Sequence, residues 1–354
     1  MSGKAAEQSS LRRVMRPEDI IVDVHPGKLR GAIIGCGYFG QIQLEAWRRM
    51  DSAEIVAACD SDISRAAASS DHAYTDPLEM LTRHKPDFVD IATRPDTHLN
   101  LVRLCIENGV PVIVQKPMAP DLAEANEMVR LAQCSGIPVM VHENWRWQPW
   151  HRAMKLRLDA GEIGNPFGYH FTMMNDDGLG PNPYPNQPYF AAMPKLIMFE
   201  SLVHPVDLTR FYFGEIRKVF AVKRQRNPLI AGEDRALLVF SHNSNVDGVV
   251  EGHRYLQPEP PGPAMGHSMI EGEQGRLLTL ANGDLLLNGR LIWQYKETLG
   301  YKGDSVKATQ EHFILCLNEG REFETSAARY LGTFAAVEAA YLSADQERAV
   351  CPQT

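Results

Sequence analysis

Four side chains are of types that could remove a proton from a hydroxyl group, and three of them are spaced to share one side of a helix. Lys116 follows a short apolar run, and His204 has Glu200 four residues before it and Asp207 three residues after it. On a regular helix both carboxylates would lie beside the imidazole, so we expect them to hold it. An unperturbed histidine has a pKa of about 6.5 and accepts a proton at neutral pH, whereas a lysine stays cationic and stabilises an alkoxide.

This combination suits oxidation of a carbinol by hydride transfer, which needs a base for the hydroxyl proton and positive charge near the oxygen. Either Lys116 or His204 could be the base; we predict His204, with Lys116 orienting the hydroxyl. The spacing alone fits equally well a histidine that caps a helix before Pro205. A lysine at the end of a strand is, in itself, more often solvated.

A glycine-rich segment predicts a dinucleotide site. Residues 35–40 match G-x-G-x-x-G directly after a predicted strand and at the start of a predicted helix. The first glycine permits a tight turn, the second lets the backbone approach a pyrophosphate, and the third lets the helix pack closely on the sheet. The helix N-terminus would face the phosphates. The predicted contacts are Gly35, Cys36, Gly37, Tyr38, Phe39 and Gly40.

Asp60 indicates which dinucleotide is preferred. It ends the next predicted strand, twenty residues after Gly40, where a carboxylate accepts hydrogen bonds from the adenosine ribose. A carboxylate would repel the 2'-phosphate of NADP. No arginine that could bind this phosphate follows Asp60 directly, since the next one is Arg65. We therefore predict NAD rather than NADP. The alternative is a glycine-rich turn that binds nothing.

Alternating strands and helices surround these residues. Continuous apolar strands between helices are typical of a parallel sheet covered on both faces, so we predict an α/β fold with an N-terminal Rossmann doubly wound sheet. The predicted strands are 29–34, 54–59, 88–92, 112–115 and 139–142, and the predicted helices are 38–50, 98–108 and 121–135.

Beyond residue 147 the pattern changes to short strand-like runs bounded by turn residues such as Asn282-Gly283. This predicts a C-terminal α+β domain with a largely antiparallel open sheet. We divide the chain into an N-terminal extension 1–28, a Rossmann domain 29–147 and a second domain 148–354. The long loop 176–194 either covers the pocket or reaches a neighbouring subunit. The predicted strands are 168–174, 219–223, 236–240, 246–252, 277–280 and 284–287, and the predicted helices are one that stops at Gly161, 305–318 and 327–342.

Composition excludes several classes of protein. The 354 residues suffice for two domains, and the formal net charge of -8 argues against binding to nucleic acid. The six cysteines include no C-x-x-C, so we expect neither a zinc site nor a disulfide framework. No other metal site is predicted. Residues 1–28 contain no apolar signal segment and no long apolar run occurs, so we expect a cytoplasmic protein without a membrane span.

The segment Val114-Gln115-Lys116-Pro117 resembles the Glu-Lys-Pro segment of the Gfo/Idh/MocA family, the glucose-fructose oxidoreductase and inositol dehydrogenase group. Residues 200–207 are similar to a second motif of that family, Asp-x-Gly-x-His-x-x-Asp. The resemblance covers residues 29 to about 345. It implies an NAD-dependent dehydrogenase that acts on a sugar or polyol, with residues 148–354 covering the nicotinamide, binding the carbohydrate substrate and forming a homodimer or homotetramer.

The resemblance also implies roles for individual residues. The catalytic group would be Lys116, His204, Glu200 and Asp207, and Lys116, Arg146 and His204 would contact the substrate. The further cofactor contacts implied by segments after the fourth, fifth and sixth strands are Thr93, Arg94, His98, Gln115, Lys116 and Asn144.

Three residues depart from the family pattern: Gln115 replaces Glu, Glu200 replaces Asp and Leu202 replaces Gly. We therefore expect a pocket of different shape, narrowed by Leu202. Residues 115–117 and 142–146 together are similar to an aldose-oxidising branch that takes D-apiose to its lactone. Two rival interpretations are a glycoside hydrolase of the same family that uses tightly held NAD, and a non-catalytic NAD-binding regulator.

Overall fold

A parallel sheet forms the first half of the described chain. The structure is a computed structural model that describes residues 28–353, so the predicted extension 1–28 lies outside the described residues except for Lys28. The strands are β1 (Leu29–Ile34), β2 (Ala53–Cys59), β3 (Ala73–Tyr74), β4 (Phe88–Ile91), β5 (Val112–Gln115) and β6 (Val139–His142). Their order is β3-β2-β1-β4-β5-β6, and every pairing is parallel.

The helices that connect these strands cover the sheet and bury it. Every residue of β4, β5 and β6 is buried, as expected for strands covered on both faces. Asp62, Asp76 and Asp121 cap three of the helices by accepting hydrogen bonds from backbone N–H groups of the first turn. The helices are α1 (Tyr38–Arg48), α2 (Ile63–Ser69), α3 (Pro77–His84), α4 (Pro95–Glu107) and α5 (Leu122–Ser135).

An eight-stranded open sheet dominates the second half. Its order is β14-β13-β12-β11-β7-β10-β9-β8, and all neighbours are antiparallel except β7 and β10. The helix α6 (Pro149–Asp159) precedes the sheet, and α7 (Val203–Phe213) separates its first two strands. The strands are β7 (Pro166–Met174), β8 (Ile216–Arg224), β9 (Arg235–His242), β10 (Asp247–His253), β11 (Ser268–Gly272), β12 (Gly275–Thr279), β13 (Leu285–Leu287) and β14 (Arg290–Trp293).

The last two described helices are α8 (Ser305–Glu319) and α9 (Ala327–Gln346), and both contact β6 of the first sheet. Gln310 of α8 donates a hydrogen bond to the backbone oxygen of Gln43 in α1 at 3.0 Å. The ring of Phe313 lies 5.5 Å from that of Phe88 on β4, centroid to centroid. Thus α8 packs on the first sheet although it follows the second in sequence.

The predicted fold class is confirmed: a parallel Rossmann sheet is followed by a mostly antiparallel sheet. The pattern did not predict α2, α3, β3, β11 and β14. Strand β3 has only two residues, and β11 and β14 have polar or partly exposed positions that weaken the apolar signal. No helix within residues 28–353 is long and apolar enough to cross a membrane.

Candidate active site

The carboxyl ends of β5 and β6 bring two charged residues to one edge of the parallel sheet. Gln115 and His142 pair in register at these ends, and Lys116 and Glu143 follow them. In doubly wound sheets, ligands bind outside this edge. The second domain contributes His204, on the first turn of α7, to the same place.

Lys116 forms an ion pair that crosses from one domain to the other. Its Nζ donates to Glu200 Oε1 at 2.5 Å and to the Glu200 backbone oxygen at 2.8 Å. The two side chains are only 9% and 13% exposed. An ammonium has three donors, so one N–H of Lys116 is left for a ligand.

His204 is held by a carboxylate that sequence reasoning did not assign to it. Its Nδ1 is hydrogen-bonded to Glu143 Oε1, and its ring stacks on Trp145 with centroids 4.9 Å apart and planes 9° apart. Tyr330 donates to the second oxygen of the fully buried Glu143 at 2.9 Å. Because Nδ1 is engaged, Nε2 is the nitrogen that can accept a substrate proton.

The local electrostatics favour a neutral imidazole that is ready to accept a proton. Burial lowers the pKa of His204, and the neighbouring Lys116 ammonium lowers it further. The carboxylates of Glu143 and Glu200 oppose this shift. When the imidazole takes a proton, Glu143 stands beside the charge that forms.

The prediction that Glu200 and Asp207 hold the imidazole is wrong. Glu200 lies in a π-helical turn, Ile197–Ser201, before α7 begins, so the four-residue spacing does not follow regular α-helical geometry. It pairs with Lys116 instead. Asp207 accepts hydrogen bonds from Arg146 Nη2 at 2.9 Å and from Thr333 Oγ1 at 2.7 Å.

Arg146 is engaged in this second ion pair. Its Nε and Nη2 bind Asp207, and its Nη1 donates to the Glu324 backbone oxygen at 3.3 Å. The guanidinium lies over the ring of Phe211, further along α7 than His204. This geometry does not support the predicted substrate contact: within residues 28–353, Arg146 contacts structural partners and anchors α7 to the turn Asn144–Trp147.

The glycine-rich turn fits a dinucleotide. Gly35 has φ +99°, and a Cβ there would lie 2.7 Å from the Ala92 backbone. A Cβ at Gly40 would lie 2.1 Å from the Gly35 oxygen, whereas one at Gly37 would meet nothing within 4 Å. The turn is therefore closed where the chain packs on itself and open at Gly37, where the backbone of α1 can approach a phosphate.

Two further side chains suit the same ligand. Asp60 Oδ2 accepts from the Cys36 backbone N–H at 2.7 Å, which fixes its carboxylate beside the glycine-rich turn. Gln115 Oε1 accepts from the Lys116 N–H at 2.7 Å, while its buried Nε2 has no partner among the described residues. An unpaired buried donor is costly, and a bound ligand would satisfy it.

The other predicted cofactor residues line the same edge. Thr93 and Arg94 precede α4, and the Thr93 side chain lies beside Gly35. His98 Nε2 contacts the Thr93 backbone oxygen at 3.1 Å, and burial lowers the pKa of His98 to about 4, so a neutral imidazole supports this turn. Asn144 Nδ2 donates to Ser305 Oγ at 2.7 Å. Their contact with a cofactor stays a prediction.

The loop 176–194 folds over its own domain. Tyr184 and Phe190 are buried together with Leu196 and Ile230. Tyr189, on the short helical turn Pro188–Ala192, stays 41% exposed, and its ring meets that of Phe190 edge-on. The role of this loop, covering the pocket or reaching a neighbouring subunit, stays a prediction.

A second loop of the C-terminal half reaches the cofactor edge. The Tyr301 ring meets the Phe39 ring edge-on, with centroids 5.5 Å apart. Arg49, which caps the C-terminus of α1, binds Asp304 of the same loop through both carboxylate oxygens, one of them at 2.6 Å. Sequence reasoning missed this loop, although Gly300 and Gly303 on either side of Tyr301 were a usable turn signal.

Leu202, at the position where the family pattern has a glycine, packs against a glycine of the second sheet. Leu202 is fully buried, and a Cβ at Gly252 of β10 would lie 2.5 Å from its Cδ2, so the larger side chain fits against a glycine. Among residues 28–353, no three His, Cys, Asp or Glu side chains are grouped so that they could hold a metal ion.

Comparison with known proteins gives the same picture over most of the chain. Residues 29–143 match the family model described as the oxidoreductase family with an NAD-binding Rossmann fold, and residues 151–278 match the GFO/IDH/MocA C-terminal domain. A D-apiose dehydrogenase of Paraburkholderia graminis is 36% identical over 343 residues, covering 91% of this chain and 89% of the relative. A D-apiose dehydrogenase of Rhizobium rhizogenes is 35% identical, with coverage of 91% and 97%.

A solved structure extends the similarity to three dimensions. It is an oxidoreductase from Agrobacterium radiobacter in complex with NAD+, L-tartaric acid and magnesium. The two chains superpose with a TM-score of 0.85 at 33% identity, over 92% of this chain and 98% of the other.

Proposed function

This chain belongs to the GFO/IDH/MocA family of NAD-binding oxidoreductases, and from that membership we propose that it oxidises a hydroxyl group of a sugar or polyol to a carbonyl. The observation that supports the proposal most strongly is the meeting of Lys116 and His204 at the carboxyl edge of the NAD-binding sheet. Each comes from a different domain, and each has a carboxylate partner.

His204 is the base of the proposed reaction. Its Nε2 takes the hydroxyl proton while Nδ1 stays bonded to Glu143, which stabilises the imidazolium that forms. Glu143 acts through the imidazole and is therefore a positioning residue. The stacked ring of Trp145 and the hydroxyl of Tyr330 restrict the orientation of this pair.

Lys116 orients the hydroxyl and stabilises the oxygen as it becomes an alkoxide. Its remaining N–H donor can reach a ligand, and the Glu200 pair keeps the ammonium fixed. As the C–O bond becomes a carbonyl, the carbinol hydrogen leaves carbon with its bonding electron pair. NAD, when bound, supplies the acceptor for that hydride.

The substrate class follows from the relatives. Two relatives named D-apiose dehydrogenases cover nearly the whole chain, which favours an aldose whose anomeric hydroxyl is oxidised to a lactone, D-apiose being the first candidate. The neighbour from Agrobacterium radiobacter holds L-tartaric acid, a polyhydroxylated acid, so acidic sugars belong in the same test.

The test is formation of NADH from NAD with a panel of aldoses, inositols and sugar acids, D-apiose included. We expect turnover with at least one of them, and Lys116→Ala and His204→Ala should each lower kcat by about 100-fold or more with little change in KM for NAD. Lys296→Ala and His72→Ala, at exposed positions, serve as matched controls. Intact turnover in either site variant would refute the assignment, and glycoside cleavage without net NADH would favour the hydrolase.

We also propose a homo-oligomer. Large apolar side chains of the second sheet remain exposed in the single chain: Phe167 by 55%, Phe220 by 39% and Val239 by 39%. Phe220 and Val239 pair across β8 and β9, so the exposed side chains are neighbours. A second copy would bury them. Light scattering after size exclusion tests this, and a purely monomeric protein would contradict it.

A further inference from the structure

The imidazole of His142 is buried at the carboxyl edge of the parallel sheet. His142 ends β6 and is 0% exposed, and neither of its ring nitrogens has a hydrogen-bond partner among residues 28–353. Burial lowers the pKa of His142 to about 3, so the ring is neutral and offers one N–H donor and one acceptor nitrogen. Buried polar groups left unpaired cost free energy, which a ligand that pairs with them would recover.

Gln115 presents a second unpaired group directly beside this ring. Gln115 and His142 pair in register on neighbouring parallel strands, and because side chains alternate between the two faces of a strand, both point to the same face. Gln115 Oε1 accepts from the Lys116 backbone N–H at 2.7 Å, whereas its Nε2 has no partner among the described residues. The two strand ends therefore place an amide donor, a ring donor and a ring acceptor, all unpaired, next to each other.

The face to which both side chains point is the one that α1 covers. Asp90 of β4 accepts hydrogen bonds from Gln43 and Trp47 of α1. The ring of Phe39, a partly exposed residue of the glycine-rich segment, meets the His142 ring edge-on with centroids 6.3 Å apart. His142 thus lies next to the helix whose N-terminus is open to a phosphate.

The order of the strands indicates which part of NAD would reach this pair. Asp60, which suits the adenosine ribose, follows β2, and the glycine-rich turn, which suits the pyrophosphate, follows β1. Strands β4, β5 and β6 continue the sheet on the side of β1 opposite to β2. A dinucleotide bound along this edge therefore extends its second ribose and its nicotinamide toward Gln115 and His142.

We propose that His142 is a further cofactor-binding residue, and that it and Gln115 together bind the hydroxyl groups of the nicotinamide ribose. A hydroxyl both accepts and donates a hydrogen bond. The Gln115 amide donates to a hydroxyl oxygen, and the acceptor nitrogen of His142 takes the hydrogen bond that this hydroxyl donates. His142 positions the cofactor and takes no part in the transfer of hydride or proton. The proposal extends the predicted NAD contact of Gln115 and does not depend on which hydroxyl compound is oxidised.

Binding of cofactor fragments to the full chain tests this without turnover. ADP-ribose carries the second ribose but no nicotinamide, and ADP lacks that ribose. We expect calorimetry to show that His142→Phe binds ADP-ribose and NAD about 10-fold more weakly and binds ADP unchanged, as the loss of one buried hydrogen bond would give. His142→Gln, which keeps a donor and an acceptor, should keep most of the affinity. His72→Phe, at an exposed position, should bind all three ligands as the wild type does.

Three results would overturn the proposal: equal losses for ADP and ADP-ribose, wild-type protein that binds ADP-ribose no more tightly than ADP, or unchanged affinities in His142→Phe, as expected where water alone pairs with the ring. Unchanged ADP affinity shows that the fold is intact, and His142→Ala removes the same groups where the phenylalanine variant does not fold.

The same measurements separate this proposal from the proposed oxidation. A selective loss of ADP-ribose affinity in a protein that oxidises no compound of the panel would leave the ribose contact standing and contradict the oxidation. NADH formation by the wild type, together with unaltered ADP-ribose affinity of His142→Phe, would do the reverse.

Discussion

Replacement of Glu143 by glutamine isolates the effect of one buried charge on His204. The variant keeps the size of the side chain and leaves an amide beside Nδ1 and the Tyr330 hydroxyl. It removes the carboxylate that faces the imidazole and that raises its pKa. If His204 is the base, the variant stabilises the imidazolium less, while the binding of NAD at the glycine-rich turn is untouched.

The size of the effect follows from the geometry. A hydrogen bond to a charged group contributes about 1.5–3 kcal/mol, and about 1.4 kcal/mol corresponds to a tenfold change in rate. Glu143 is fully buried and His204 is 7% exposed, so water cannot replace the lost interaction. We therefore expect kcat of Glu143→Gln to fall by about 10- to 100-fold at neutral pH.

The pH dependence separates a positioning role from a merely structural one. The rate is lost at low pH as His204 becomes protonated. Without the carboxylate the pKa of His204 falls. The acid limb of the curve of kcat against pH should therefore move to lower pH, while the plateau value of kcat drops. The assay is kcat against pH at saturating NAD and substrate. An unchanged acid limb, or a plateau within twofold of the wild type, would refute the role of Glu143.

Tyr330→Phe removes the 2.9 Å hydrogen bond to Glu143 and should lower kcat only a few-fold, measured in the same assay. Asp60→Ala should raise KM for NAD and reduce the preference for NAD over NADP; equal use of both cofactors by the wild type would contradict it. Burial raises the pKa of the Asp90 carboxyl to about 7. As the pH rises, the unfolded chain loses this proton at about pH 4 and the folded chain only at about pH 7. The free energy of unfolding therefore falls between about pH 4 and 7. Asp90→Asn should therefore raise Tm at pH 8 more than at pH 5, and an equal change at both would be inconsistent with a buried carboxylate that titrates.

The sequence contained enough information for the fold and for the cofactor edge because both depend on local patterns. Apolar runs and glycines act within a few residues, so β1, β5 and β6 were predicted to the residue. The glycine-rich turn behaves as the motif requires, with Gly35 at positive φ and Gly37 open. Position at the end of a parallel strand also predicts where Lys116 lies, since strand ends share one edge.

Partners of the catalytic groups were not predictable in the same way. Helical spacing suggested Glu200 and Asp207 for His204, but a π-helical turn before α7 moves the first away, and Arg146 occupies the second. Glu143, which holds the imidazole, is 61 residues away in sequence. Its position just after β6 was the available signal, because residues that follow a strand at this edge face the ligand.

The same ion pairs that define the chemistry also join the two domains. Lys116 and Glu143 belong to the Rossmann half, and their partners Glu200 and His204 belong to the second half. Removing one member of a buried pair leaves an uncompensated charge. Separating the two domains would therefore leave these charged groups without their partners. The orientation of His204 and the packing of the two domains against each other therefore depend on the same interactions. It follows that substitutions at this interface should change kcat even where they contact neither the base nor the cofactor.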